Sequence, residues 1–580
     1  MTLIAAPARD GLTTQQVPRS TPGERRSLAL GWTVAYVILS WCTAAYFMAD
    51  TVEFVSAAYQ HDPAYLPDQG VNYLDYFWDF RHLLWRPMGW GLFHLLNPWL
   101  SPGARNEPRI TAIYIFLTLN WVAGLFSLFL LRAVLRRFCS QSWAIEFSTV
   151  AFIFSLAFLN YIHSGSPYIP GLMFLLLGLY LVARSVEPGA SKYLQYGAPL
   201  SLAISVCLWF PYAFAVPGAL TLPLFYPDRT NRRWPLVWRT TIICLLIGVL
   251  AYAWVLIHQG IYTLPGIIRW VWQPASNVAG VRGVNRTVFG FAHSFIDLGK
   301  DGVLFKRYML HDPYNPVSLR QLVVRISLYK LVLFYALLVA MIVQLARSGK
   351  RNVLAICAFS AGPVLIFAVL WFGGDIERYL PLYPAFFIAF CCAVADERHG
   401  PTKILAAVFV AAAVGSNWFA VSRPRLEQQQ QIVADRVQDL LPLLKPSSRV
   451  VEVDIHDDLV NFSRSFPLNP INRRSKLPNY ALLNPGTPQV LHWRQDFAAI
   501  VAATWNTHGE VWISQRVLAT RPKASWDWIE KGDPHVTWDE VPALFSRFDF
   551  GRAVGEGDGF LPLLPTPNNL AIIDSLRSQK

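Results

Sequence analysis

The chain has 580 residues, of which 54% are hydrophobic and only 15% charged, with 22 Trp and 37 Phe. That lies outside the soluble range and reads as a polytopic membrane protein. The formal charge of +13 would suit nucleic acid as a partner, but Lys and Arg gather in short clusters between apolar spans, which is the positive-inside pattern and argues against it.

The first twenty-odd residues are polar and rich in Pro and Thr, and Arg25 and Arg26 precede a span too long for a signal-peptide core. Residues 1–26 therefore read as a disordered cytoplasmic tail before an uncleaved helix. Apolar spans follow over roughly 27–48, 110–131, 143–162, 168–186, 196–209, 212–226, 237–257, 326–346, 353–372, 378–396 and 403–421. Pro211, Pro217 and Pro223 break the stretch 196–226 into a hairpin or kinked pair. The segment 83–100, with Trp85, Arg86, Pro87, Trp90 and Trp99, suits an amphipathic interfacial helix.

Alternate connections carry Arg132, Arg136 and Arg137, then Arg184 and Lys192, then Arg229 to Arg239, then Arg347 to Arg351, then Arg398 and Lys403. With Arg25 and Arg26 they define a cytoplasmic side. The other side receives loops 49–109 and 258–325, the turn Gly373 to Arg378, and everything after residue 421. There Val433 to Leu444 runs in helical rhythm, and Ser448 to Asp454 and Glu510 to Ser514 in strand rhythm. The expected fold is an all-α polytopic membrane domain of about 11 transmembrane helices over 27–421, followed by a small exported α/β domain over 422–580. No internal repeat is visible. All seven cysteines lie in or beside apolar spans and none follows residue 392, so neither disulfides nor a Cys-based zinc site is expected in the C-terminal region.

Asp50 and Glu53 stand where the first apolar helix leaves the membrane, in Asp50-Thr51-Val52-Glu53-Phe54. Carboxylates at such a boundary mark a candidate functional site. With Ala57, Ala58 and the later His82-Leu83-Leu84-Trp85-Arg86-Pro87, this run resembles the GT-C class of membrane glycosyltransferases, nearest to the branch related to protein O-mannosyltransferases. Val52 stands where that branch has glycine, and no Pro follows His82.

The resemblance implies inverting transfer of a sugar from a polyprenyl-phosphate donor to a glycan, lipid or protein acceptor on the non-cytoplasmic face of a bacterial inner membrane. The chemistry asks for a carboxylate there, because an acceptor hydroxyl gains from a base within hydrogen-bond reach. Asp50, nearest the helix end, is the candidate base; Glu53, one turn on, shares its face if the helix continues. The alternative for both is ordinary solvated interface residues.

The leaving lipid phosphate needs cations. Arg378 and Tyr379 match an Arg-Tyr pair that enters a late helix in the class; the alternative is an Arg snorkelling to the interface, held by Glu377 or Asp375. Arg282 and Arg286 in the second large loop are further candidates, against general attraction to lipid headgroups. Arg81, His82, Arg86 and His163 are candidates for positioning substrate. Oligosaccharyl-transferring members of the class place metal-binding acids where this chain reads Asn160 to Pro167 without Asp or Glu, so neither metal nor cofactor is expected. Asp75 and Asp79, four apart beside aromatics, are expected to dress one face of a surface helix. A lipid-sugar flippase or other transporter, or a non-catalytic subunit of an envelope polysaccharide assembly system, are the rival readings.

Overall fold

The computed structural model describes residues 22–45, 48, 51–52, 54–55, 77–187, 189–191, 193–225, 233–276, 283–299, 304, 307–309, 311, 316–371, 373–396, 400–445, 447–454, 462, 466–470, 479–483, 492–520, 537–555 and 559–578. The chain forms two units, residues 1–41 and 42–580. The first holds nearly all of helix α1 (Pro22–Cys42).

In the second unit, α2 (Trp85–Leu96) precedes α3 (Pro108–Phe138), α4 (Ser142–Ile153), α5 (Leu156–Tyr161), α6 (Tyr168–Ser185), α7 (Leu194–Leu208), α8 (Val216–Phe225), α9 (Arg233–His258), α10 (Leu264–Ser276) and α11 (Val284–Phe295). Then come α12 (Ile326–Arg347), α13 (Arg351–Leu370), a 3-10 segment Ile376–Leu382, α14 (Tyr383–Val394), α15 (Gly400–Val421) and α16 (Arg423–Leu440). Among the described residues, seven helical segments are long and apolar enough to cross a membrane: Pro108–Phe138, Tyr168–Ser185, Trp234–His258, Ser327–Arg347, Arg351–Leu370, Ile376–Val394 and Gly400–Val421.

Every residue of α14 is buried, so this helix forms the middle of the bundle. By contrast α9 exposes Trp238, Leu245, Leu246, Val249 and Leu250. An apolar outer surface of this kind is at home in hydrocarbon, because the helix satisfies its own backbone polar groups. Segment 196–226 is the expected kinked pair, α7 and α8 joined by the 3-10 turn Phe210–Phe214.

One expectation is corrected here. The span 143–162 is not one helix: it stops at Ile153 and restarts at Leu156. No Pro forces the break. The Phe154 carbonyl it frees accepts from Asn417 Nδ2 of α15 at 2.6 Å, and irregular backbone at membrane depth persists only where protein supplies such a partner. Within the segment 258–325, expected as an outer connection, the structure places the helices α10 and α11.

After α16 comes a four-stranded sheet of order β2-β1-β3-β4, with β1 (Arg449–Asp454), β2 (Asn479–Leu483), β3 (Val511–Ser514) and β4 (Phe560–Leu563). Strand β1 runs parallel to both neighbours, β4 antiparallel to β3. Alternation along β1 sends Val451 and Val453 into a core with Phe497 and Val501 of α17 (Trp493–Asn506), and Val450 to the other face with Trp512 and Val437 and Leu440 of α16. Helix α18 (Pro567–Ser578) adds Ile572, Ile573 and Leu576 to the first core.

Candidate functional site

Asp50, Glu53, Arg282 and Asp75 lie outside the described residues, so the site is built from their neighbours. Asp79 caps the 3-10 turn Phe80–His82, its carboxylate accepting the Arg81 N–H at 2.8 Å. The same carboxylate faces Arg81 Nη2 at 3.2 Å and Arg86 Nη2 at 3.8 Å. Asp79 therefore does not dress a surface helix as expected: it is 9% exposed and is the hub of a buried charge cluster. Burial pushes its carboxyl upward, but Arg81 and Arg86 outweigh that and hold it below the usual carboxylate range.

Helix α2 starts directly beyond this turn, with Trp85 and Arg86 fully buried and Trp99, just past its end, 85% exposed. The Arg86 guanidinium lies 5.4 Å from the centre of the Phe54 ring. Phe54 in turn meets His82 edge-on at 4.7 Å. Thus the residue after Glu53 packs on two of the residues proposed from sequence to position substrate. Burial holds the His82 imidazole far below its ordinary value, with Arg81, Arg86 and Arg378 adding to the effect against Asp79. Its ring is neutral, and its buried Nδ1 has no hydrogen-bond partner among the described residues.

Arg378 comes to the same place from residues nearly 300 positions later. Its guanidinium lies 5.7 Å from the Trp209 ring centre, and its carboxylate neighbours are Glu377 at 3.8 Å and Asp375 at 3.9 Å. Both separations exceed a hydrogen bond, and its buried Nε has no hydrogen-bond partner among the described residues. Glu377 spends its other oxygen on the Tyr161 hydroxyl, which donates at 2.7 Å. The rings of Tyr161, Tyr168 and Trp209 stand in series, with centroids 4.8 and 4.6 Å apart, and Tyr168 also faces His82 at 6.4 Å. An aromatic wall therefore runs from His82 to Arg378.

The short loop between α5 and α6 closes the site from behind. Gly165 accepts a hydrogen bond from Trp85 Nε1 at 2.9 Å and donates its own N–H to Thr51 Oγ1 at 2.8 Å. A Cβ at Gly165 would sit 2.6 Å from Thr51 Cγ2, so only glycine permits this approach. His163 Nε2 shares a hydrogen bond of 2.8 Å with Thr43 Oγ1. Burial, helped by Arg423, lowers its pKa to about 3.

The remaining candidates stand apart from this wall. Tyr379 is fully buried, and its hydroxyl is engaged by the carbonyls of Gly373 at 2.6 Å and Thr287 at 3.0 Å. It ties the turn before Arg378 to α11. Arg286 is buried on α11, one residue before Thr287. Among the described residues no group of three or more His, Cys, Asp or Glu is placed to hold a metal ion.

Sequence reasoning passed over Asp79 as a hub, Tyr161, Tyr168, Trp209, Gly165, Thr43 and Thr51. The contrast of a Gly amid Ser164-Gly165-Ser166 with the aromatic run before and after it was the one local signal available. A cluster of two arginines and one carboxylate, net positive, beside Arg378, whose Nε has no hydrogen-bond partner among the described residues, is suited to receive an anion: a phosphate oxygen approaching Arg378 to about 2.8 Å competes well with carboxylates a full ångström farther off.

No family model matches the sequence, and no curated protein matches it. Among solved structures the chain is similar to ArnT from Cupriavidus metallidurans bound to undecaprenyl phosphate, at 12% identity and a TM-score of 0.46, over 97% of this chain and 100% of that one. It is also similar to the arabinofuranosyltransferase AftD from mycobacteria, at 15% identity and a TM-score of 0.38, over 94% of this chain and 42% of that one. A third is the Archaeoglobus fulgidus oligosaccharyltransferase in complex with zinc and sulfate, at 11% identity and a TM-score of 0.38, over 86% and 70%. Likenesses of this degree assign no activity.

Proposed function

We propose that the chain is an integral membrane glycosyltransferase of the GT-C kind, moving a sugar from a polyprenyl-phosphate donor to an acceptor on the non-cytoplasmic face. The observation that carries the reading is the convergence of Arg86, His82 and Arg378 along one aromatic wall, against Phe54 of the Asp50-Glu53-Phe54 run. Arg378, with its Nε open, takes the lipid phosphate and carries its charge as the bond to the sugar breaks. The neutral His82 offers a hydrogen bond to the phosphate or the sugar. Asp50 removes the acceptor's proton as its oxygen attacks the anomeric carbon, which inverts the centre in a single displacement without a covalent intermediate.

A transporter would need ionisable groups along a path through its spans. The buried charges described here sit toward helix ends instead: Arg132 pairs with Glu146 at 2.5 Å near one end of α3, and the Asp79 and Glu377 clusters gather at the other end of the bundle.

The test is release of undecaprenyl phosphate from a panel of undecaprenyl-phosphate hexoses and pentoses by the purified full chain, supplied with an envelope glycan extract and with a chelator throughout. Release by wild type, with Asp50→Asn slower by about a hundredfold to ten-thousandfold and undiminished in undecaprenyl phosphate binding, is expected. Release by Asp50→Asn within threefold of wild type removes the base assignment, and a wild-type rate that needs added magnesium or manganese removes the metal-free mechanism.

A further inference from the structure

Away from the site, the C-terminal end of α14 meets the C-terminal end of α3. Cys392 Sγ donates to the Phe138 carbonyl at 3.6 Å across 254 positions of sequence. The residue after Phe138 is Cys139, and its thiol shares a hydrogen bond with the thiol of Cys391. Cys139 is half-buried as the cap of α3, whereas Cys391 is fully buried. Three of the seven cysteines, all of them free, therefore share one corner of the bundle.

A cation stands beside them. Lys350, the residue before α13, donates from Nζ to the Cys392 carbonyl at 2.9 Å and so brings an ammonium group to the thiols. The hydrogen bond with Cys391 holds the Cys139 thiol below its ordinary value against the opposing effect of burial, and Lys350 adds to the lowering. The thiolate is the form that attacks disulfides. Arg136, three residues before Cys139, and Arg351, next to Lys350, are exposed, and positive charge at this end favours the approach of an anionic reagent.

We propose that Cys139 and Cys391 form a reversible modification site, a dithiol that closes to a disulfide on reaction with a small anionic disulfide such as oxidised glutathione, and so staples α3 to α14. The Cys139 thiolate attacks one sulfur of the reagent and expels the other half as a thiolate, which takes up the proton that Cys139 had released. Cys391 then attacks the Cys139 sulfur of the mixed disulfide, and its own proton leaves with the second half of the reagent. Two protein thiols are thereby oxidised and one reagent disulfide is reduced to two thiols. The second step needs no solvent access at Cys391, because its sulfur already lies at hydrogen-bond distance from that of Cys139. The Arg and Lys of this end read as the cytoplasmic side, where disulfides are transient and redox-sensing rather than structural. The pair then rests as thiols and closes under oxidation. Helix α14 continues the 3-10 segment that carries Arg378, so the staple fixes the far end of the helix leading away from the site. The thiol chemistry is independent of the sugar transfer proposed above.

The test treats the purified full chain in detergent with an excess of oxidised glutathione, then denatures it and counts free thiols with a maleimide. Wild type is expected to lose two of its seven thiols, to show the peptides of Cys139 and Cys391 joined in non-reducing mass spectrometry, and to regain all seven with dithiothreitol. Cys391→Ser should stop at one glutathione on Cys139, Cys139→Ser should leave Cys391 as a free thiol, and Cys392→Ser should still close the link. Wild type that keeps seven free thiols overturns the site. So does wild type that carries glutathione on Cys139 without closing, or that links Cys139 to Cys392 instead. These wild-type readouts hold whether or not any variant folds.

Discussion

Glu377 accepts the Tyr161 hydroxyl at 2.7 Å with one carboxylate oxygen, while the other stays 3.8 Å from Arg378. Tyr161 thereby keeps the carboxylate from closing on the guanidinium. Tyr161→Phe should let Glu377 form a short ion pair with Arg378 and compete with a substrate phosphate. The expected result is undecaprenyl phosphate binding weakened by about threefold to tenfold, consistent with one charge-assisted hydrogen bond redirected. Titration of the purified variant with undecaprenyl phosphate measures it, and affinity equal to wild type would show that Tyr161 merely packs.

Arg378→Ala should reduce donor use far more than acceptor use. A charge-assisted contact to phosphate contributes roughly 1.5 to 3 kcal/mol, on the order of tenfold to a hundredfold in affinity. Steady-state kinetics with each substrate varied in turn will separate the two; an unchanged donor KM in a folded variant reassigns Arg378 to anchoring at the interface.

His82, buried, and His163, half-buried, predict acid sensitivity, and the sign can be worked out. An unfolded imidazole takes up a proton below about pH 6.5, whereas folded His163 does so only near pH 3 and folded His82 is likewise far depressed. Between those limits the unfolded chain binds more protons, so stability falls as pH drops from about 6.5. Asp79, depressed below its unfolded value, contributes stability that is present above about pH 4 and lost only in stronger acid. Thermal unfolding in detergent should therefore show Tm falling from pH 7 to 4.5, with a shallower fall in His163→Gln. Parallel slopes for the two proteins would contradict the assignment.

Asn417 holds three backbone groups at once: Nδ2 donates to Phe154 at 2.6 Å and Phe295 at 2.7 Å, and Oδ1 accepts from Asp297 at 2.5 Å. Asn417→Ala takes the partner from the Phe154 carbonyl at the α4–α5 break and from the Phe295 carbonyl at the end of α11. A loss of about 2 to 4 kcal/mol is expected from two or three such groups, read as a fall in Tm. A change within the scatter of the assay would mean that the break is satisfied in another way.

What could be read along the chain was what depends on neighbours in sequence. Apolar runs of span length announce helices because a membrane helix satisfies its own backbone, and short runs rich in Val and Ile over Arg449–Asp454 and Val511–Ser514 announced β1 and β3, each of which puts side chains into a core on both faces. Strands β2 and β4 were not legible: Ala481-Leu482-Leu483 of β2 is a short apolar run that suits a helix as well as a strand, and β4 carries Pro562, a residue that argues against a strand. Arg378 and His82 stood out locally as charges beside apolar helices. That they share an aromatic wall, that Asp79 is buried between two arginines, that Asn417 breaks a helix more than 260 residues earlier, and that one short loop grips Thr43 and Thr51 are decisions of packing. Each needs groups far apart in sequence to meet in a place that excludes water, where an ion pair or hydrogen bond counts for more than at the surface, and no local pattern records which distant partner arrives.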